Sequence, residues 1–246
     1  MFAEPPELTP PPPSARQPRL WRGRDILAGL GLVAAAFVLV VVGLGVYVGV
    51  SGNEDTEAPG VIATLTFEVL IGAAVALLAF WRRFSRRDLG FVLPRRWGFI
   101  GLVWAGSYAI LVAYQVVLLL LERVGVDSSR FSEGNPLPVD TGDGIVLLAA
   151  LGIAVVLVAP LSEELFFRAL IFRGLRGYWR LLPSLAVSGI VFGAFHGNLS
   201  VIVPFAFIGA LFAWGYEESD SLITPIVAHM LVNGVSFALS VAGAAD

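Results

Sequence analysis

The chain has 246 residues, no cysteine and a net charge of −3, with 57% hydrophobic and 14% charged residues. A mean hydropathy of +0.82 is too apolar for an ordinary soluble domain of this length and points to a polytopic membrane protein. The weak charge, with basic residues scattered at segment ends, excludes a nucleic-acid footprint. The missing cysteines exclude disulfides, thiolate metal sites and a cysteine nucleophile.

The chain opens with prolines at positions 5, 6, 10 to 13 and 18 and shows no apolar periodicity there, so a flexible, extended tail is expected over 1–25. Apolar runs follow at about 26–50, 61–81, 98–121, 144–173, 181–197, 199–216 and 222–241, each able to cross or nearly cross hydrocarbon as a helix. The expected fold is all-α, a transmembrane helical bundle of about seven spans, with eight as the alternative. The first run is long for a signal peptide and no A-x-A site follows it, so it reads as a retained anchor.

Arginines cluster at 16–24, 82–96 and 173–180, whereas segments 51–60 and 122–143 hold only Arg123 and Arg130. By the positive-inside rule the amino terminus is cytoplasmic in a multi-pass protein of the cell membrane. The chain then divides into a Pro-rich cytoplasmic tail (1–25), three spans with their loops (26–143) and a catalytic helical core (144–246).

The chemistry is concentrated in that core. Both histidines of the chain, His196 and His229, lie in apolar segments, and the fourth run carries Glu163 and Glu164. An ionisable group at the centre of a spanning helix costs roughly 2.5–3.5 kcal/mol, so several retained together imply a use. Pro160 removes a backbone donor and frees a carbonyl one turn earlier, which predicts a kink just before the carboxylates. Glu164 and Arg168 are four apart and share a helical face, while Glu163 points about 100° away and is free to face something else.

Glu163 and His196 lie at similar distances on either side of Trp179, so an antiparallel pair of helices brings them to one level. With the membrane boundary near Arg173, Leu181 and Asp220, Glu163, His196 and His229 all sit roughly 14–22 Å below it. His229 and Asn233 are four apart on one face. Singly, each residue could be ordinary interhelical glue and Arg168 could snorkel to the headgroups. Together they suit a hydrolase that activates water with a carboxylate and holds an oxyanion with neutral donors.

Other intramembrane chemistries fit less well. The zinc-protease H-E-x-x-H pattern, a G-x-S-G serine site and the G-x-G-D aspartate pattern are all absent. Haem ligation by two histidines would give Glu163 and Glu164 no role.

At these residues the chain resembles the CPBP family of intramembrane proteases, which includes CAAX prenyl endopeptidases and bacteriocin-processing or immunity proteins of the ABI type. Glu163-Glu164-x-x-x-Arg168, Phe192-x-x-x-His196 and His229-x-x-x-Asn233 match its three signatures in order, within about 145–240. Asp88-Leu89-Gly90-Phe91 resembles a family stretch more weakly, and Ala169 stands where the family commonly has glycine.

The resemblance implies an endopeptidase in which Glu163 activates water with help from His196, His229 and Asn233 hold the oxyanion, and Glu164 and Arg168 support them. No cofactor is favoured, although Glu163, His196 and His229 could ligate zinc. The implied partners are the bilayer and a membrane-associated protein or peptide substrate. The alternatives are a non-catalytic immunity or scaffold protein with the same fold and a zinc-dependent membrane hydrolase. The sequence leaves the substrate and the oligomeric state open.

Overall fold

A computed structural model describes residues 20–52, 57–132 and 144–244. Among these the regular elements are all helical: α1 (Gly23–Ser51), α2 (Glu57–Trp81), α3 (Gly98–Arg123), the single turn α4 (Ser129–Ser132), α5 (Gly144–Arg176), α6 (Leu181–Phe195), α7 (Leu199–Ser219) and α8 (Ile223–Ala244). The seven expected runs are therefore seven apolar helices, and six of them are long and apolar enough to cross a membrane.

The exception is α6. Its 15 residues span about 22 Å at 1.5 Å per residue, short of the roughly 30 Å hydrocarbon core. Its C-terminal end, which carries His196, therefore stops within the bundle. Gly197 turns the chain with φ 64°, and Asn198 starts α7 by accepting the Ser200 amide at 3.0 Å.

Most of the expected tail, residues 1–19, lies outside the described residues. Its last part departs from expectation, because Trp21 is wholly buried and its indole N–H donates to the Ala169 carbonyl. A large amphipathic ring with a polar handle found a partner on α5, which composition alone does not reveal.

Helix α5 is the centre of the bundle. Phe166, Phe167, Ala169, Leu170, Ile171 and Phe172 are all buried, and the main apolar core forms around them with side chains from α1, α2, α6, α7 and α8. A residue buried on every side of a helix needs neighbours all round, which makes α5 the element the others position themselves against.

Helices α6 and α7 approach closely. A Cβ added at Gly193 would run into the backbone of Ile202 and Ala206, and one at Gly189 into that of Ala206 and Ala210. This is small-residue packing, in which spacing by four lets two backbones meet where lipid offers no hydrophobic drive. Gly193→Leu is expected to lower stability by more than the usual 1–3 kcal/mol of overpacking, because backbone cannot step aside as a side chain does. Thermal unfolding in detergent would check it.

The arginine-rich ends of the helices are tied together. Asp25 pairs with Arg82 at 3.1 Å and Arg176 with Glu217 at 2.7 Å. The Asp88–Phe91 stretch docks on the α7–α8 turn: the Leu222 amide donates to the Gly90 carbonyl at 2.8 Å, and Tyr216 donates to the Leu89 carbonyl at 3.2 Å. Gly90 has φ 88° and lies against the Tyr216 ring, where a Cβ would meet the hydroxyl at 2.6 Å. Hydrogen bonds from Ser85 fix Asp88 and hold its carboxyl below the usual carboxylate range. Trp81, Trp97 and Trp179 are exposed at the same end, as expected of a belt at a membrane surface.

Candidate active site

The site is built on an irregular stretch of α5. Two segments, Ala154–Val158 and Leu165–Phe172, are wound as π-helix, and the six residues between them carry both glutamates. Such widened turns cluster at functional positions. The first has a visible cause.

In π register the Ala159 amide bonds to the Ala154 carbonyl, so the next donor should serve Val155. That next residue is Pro160, which has no N–H. The Asn233 side chain fills the place, its Nδ2 donating to the Val155 carbonyl at 2.8 Å. The expected disruption at Pro160 thus takes the form of a π segment, and the freed carbonyl anchors α8. Asn233→Leu should cost about 1–3 kcal/mol by leaving that carbonyl unsatisfied, measurable by unfolding in detergent.

Glu164 lies behind the cavity wall. Its Oε1 forms an ion pair with Arg168 Nη1 at 2.9 Å and accepts a hydrogen bond from His229 Nδ1 at 2.9 Å, and both Glu164 and Arg168 are fully buried. The guanidinium also donates to the Gly209 carbonyl at 3.2 Å and lies 4.4 Å from the centre of the Phe192 ring. A charge so placed needs these partners, because burial without them costs several kcal/mol. The i,i+4 pair agrees with the sequence reading. The His229 bond is an addition that spacing does not show.

That bond sets the His229 tautomer. With Nδ1–H given to Glu164, the neutral ring offers Nε2 as an acceptor, and Nε2 becomes a donor only in the imidazolium form, whose charge Glu164 balances. His196 is oriented in a similar way. Its Nδ1 donates to the Phe192 carbonyl at 2.9 Å, leaving Nε2 as the acceptor nitrogen, and the ring packs edge-on to Phe205 with centroids 4.6 Å apart.

Glu163, His196, His229 and Asn233 line one cavity of about 250 Å³. Glu163 is 7% exposed and its Oε2 has no hydrogen-bond partner. The four residues that the sequence nominates for chemistry therefore meet, while Glu164 and Arg168 stand behind them. A larger recess of about 450 Å³ between α1 and α2 is lined by apolar side chains with Tyr47 and Thr66, and holds none of these groups.

Residues 145–235 match the family described as type II CAAX prenyl endopeptidase, Rce1-like. This region is a CPBP-family domain. The chain is 24% identical over 191 residues to a Bacillus subtilis protein named as a membrane peptidase, YdiL, with 75% of each chain covered. It is also 24% identical over 230 residues to a Staphylococcus aureus protein named as the membrane-embedded CAAX protease MroQ, covering 88% of this chain and 87% of the relative. No solved structure matches the chain at a significant level. The family match begins and ends close to the stretch that carries the three signatures, so the motifs lie within one domain of a membrane-embedded endopeptidase family, whereas the cavity is completed by α2 and α3 outside it.

Two further features bear on the chemistry of this site. Among the described residues no three histidine, aspartate or glutamate side chains are grouped closely enough to hold a metal ion as they stand. The other feature is Glu68 on α2, which is 6% exposed and lines the same cavity. Sequence reasoning misses it, although a lone carboxylate amid the apolar run 61–81 is the same signal that singles out Glu163.

Proposed function

We propose that this chain is an intramembrane endopeptidase that cuts membrane-associated peptides with water activated by Glu163. The observation that carries the reading is the shared cavity, in which a buried carboxylate oxygen without a partner faces the same space as two imidazoles and an amide.

In the proposed reaction Glu163 takes a proton from water as the oxygen attacks the scissile carbonyl, and His196 Nε2 accepts a hydrogen bond that orients the water. Negative charge then develops on the carbonyl oxygen. His229, as imidazolium, and the second N–H of Asn233 meet it. Glu164, Arg168 and protonated His229 together carry one net positive charge, which suits an oxyanion in a cavity of low dielectric. When the C–N bond breaks, the amine leaves with a proton supplied by the site. No metal enters any of these steps.

The reading takes the amino terminus to be cytoplasmic, as the arginine distribution suggests, and has substrate reach the cavity from that leaflet. One relative is named as a CAAX protease, and by extension the substrate class proposed here is a peptide segment held at the membrane, of CAAX type or of the processed bacteriocin type. Purified protein in detergent, given a panel of membrane-anchored peptides, should cut some of them at defined bonds readable by mass spectrometry. His196→Ala and Glu163→Ala, folded as judged by thermal unfolding, should cut none. Cleavage undiminished in both variants would remove the basis for the reading and favour a scaffold that merely retains the fold.

A further inference from the structure

Glu68 has no part in the steps above, and its position demands one. It lies in the middle of α2, and its Oε2 is buried without a hydrogen-bond partner, as is Oε2 of Glu163. The two carboxyls line one cavity and interact electrostatically. Their approach is built into the backbone. One turn beyond Glu68, Gly72 packs against Ser162, the neighbour of Glu163, so tightly that a Cβ would sit 2.9 Å from the Ser162 hydroxyl. A carboxylate in a spanning helix that served only packing would be replaced by an apolar residue at a gain.

We propose that Glu68 is a second acid–base carboxyl of the site, sharing one proton with Glu163 and giving it to the leaving amine. The proposal rests on the endopeptidase reading. Two ionised carboxylates facing each other in a water-poor cavity repel strongly, and a single shared proton relieves that repulsion. Before attack the pair holds this proton on Glu68, and Glu163 is ionised. Water gives a proton to Glu163 as the new C–O bond forms and the carbonyl electron pair moves to oxygen. The amide nitrogen then takes the Glu68 proton as the C–N bond breaks, and the oxyanion pair reforms the carbonyl. The products are an acid and an amine, and the proton left on Glu163 restores the pair to one.

The two carboxyls should be detectable without any substrate. A protonated buried carboxyl gives a carbonyl-stretching infrared band that carboxylates lack. In the full-length protein in detergent near neutral pH, that band should be present, should vanish in Glu68→Gln and should shift or vanish in Glu163→Gln. A band unaltered by Glu68→Gln, or no band in the wild type, overturns the proposal.

With a cleavable membrane-anchored peptide, Glu68→Gln should lower kcat by about 100-fold, the ordinary scale of general acid catalysis, with KM near the wild-type value. It should also remove the alkaline limb of the kcat–pH profile, and Glu68→Asp should recover part of the rate. The other titratable or charged groups around the pair are Glu164 and Arg168 on α5, His196 at the end of α6 and His229 on α8, all intact in these variants. Wild-type kcat and an unchanged profile in Glu68→Gln, beside an inactive Glu163→Gln, would reduce Glu68 to a packing residue. If the wild type cuts no peptide, the endopeptidase reading falls, and the infrared band still decides whether the two carboxyls share a proton.

Discussion

Glu163→Gln should lower kcat for cleavage of a membrane-anchored peptide by about 10²- to 10⁴-fold, the range over which a positioned general base contributes. Glutamine keeps the volume and one acceptor oxygen, so the cavity of about 250 Å³ keeps its shape. What it loses is the ability to take a proton. KM should change little, because substrate binding draws on the whole cavity whereas proton transfer draws on one oxygen.

The same variant should unfold at the wild-type temperature or higher. Glu163 is buried and its Oε2 is unpartnered, so exchanging that oxygen's carboxylate for an amide takes no hydrogen bond to Oε2 from the fold. Loss of rate with no loss of stability separates a group kept for chemistry from one kept for packing. Glu163→Gln that is both inactive and strongly destabilised would place Glu163 in the structural framework with Glu164.

That separation explains how much of the site the sequence shows. Spacing by four on a helix is geometry that one helix carries by itself, so Glu164 with Arg168 is legible from the letters, and so is the divergence of Glu163. The hairpin of α5 and α6 is legible too, because the loop between the runs is short and the two residues lie at similar distances from it. Links between elements distant in the chain are not. The His229–Glu164 bond joins residues 65 apart and the Asn233–Val155 bond residues 78 apart, and both depend on how α8 lies against α5.

The π segments escape sequence reasoning for a related reason. Pro160 announces a missing donor, but which carbonyl is freed depends on the local winding, and the winding depends on Asn233 being present to satisfy Val155. Glu68 is hidden for another reason. Its own run holds no second ionisable residue, so the carboxylate acquires meaning only when Gly72 lets α2 press against Ser162.

Arg168→Met tests the framework instead of the chemistry. Removing the guanidinium leaves the fully buried Glu164 with His229 as its remaining partner, and breaking a buried pair from one side typically costs 3–5 kcal/mol. The Gly209 carbonyl loses its side-chain donor, and the Phe192 ring loses the cation over its face. The double variant Arg168→Met with Glu164→Gln should regain most of that stability, since the isolated charge is gone and methionine fills much of the space.

It should not regain activity. Without the Glu164 carboxylate, His229 loses the acceptor that fixes its ring and tautomer where the oxyanion must be met. Arg168→Lys should fall between, because one ammonium lacks the spread of the planar fork that reaches both Glu164 Oε1 and the Gly209 carbonyl. Unfolding in detergent and peptide cleavage, measured on the three variants, would give stability and rate in different orders. If the double variant recovered both together, His229 would not depend on Glu164, and the oxyanion would have to be held by Asn233 alone.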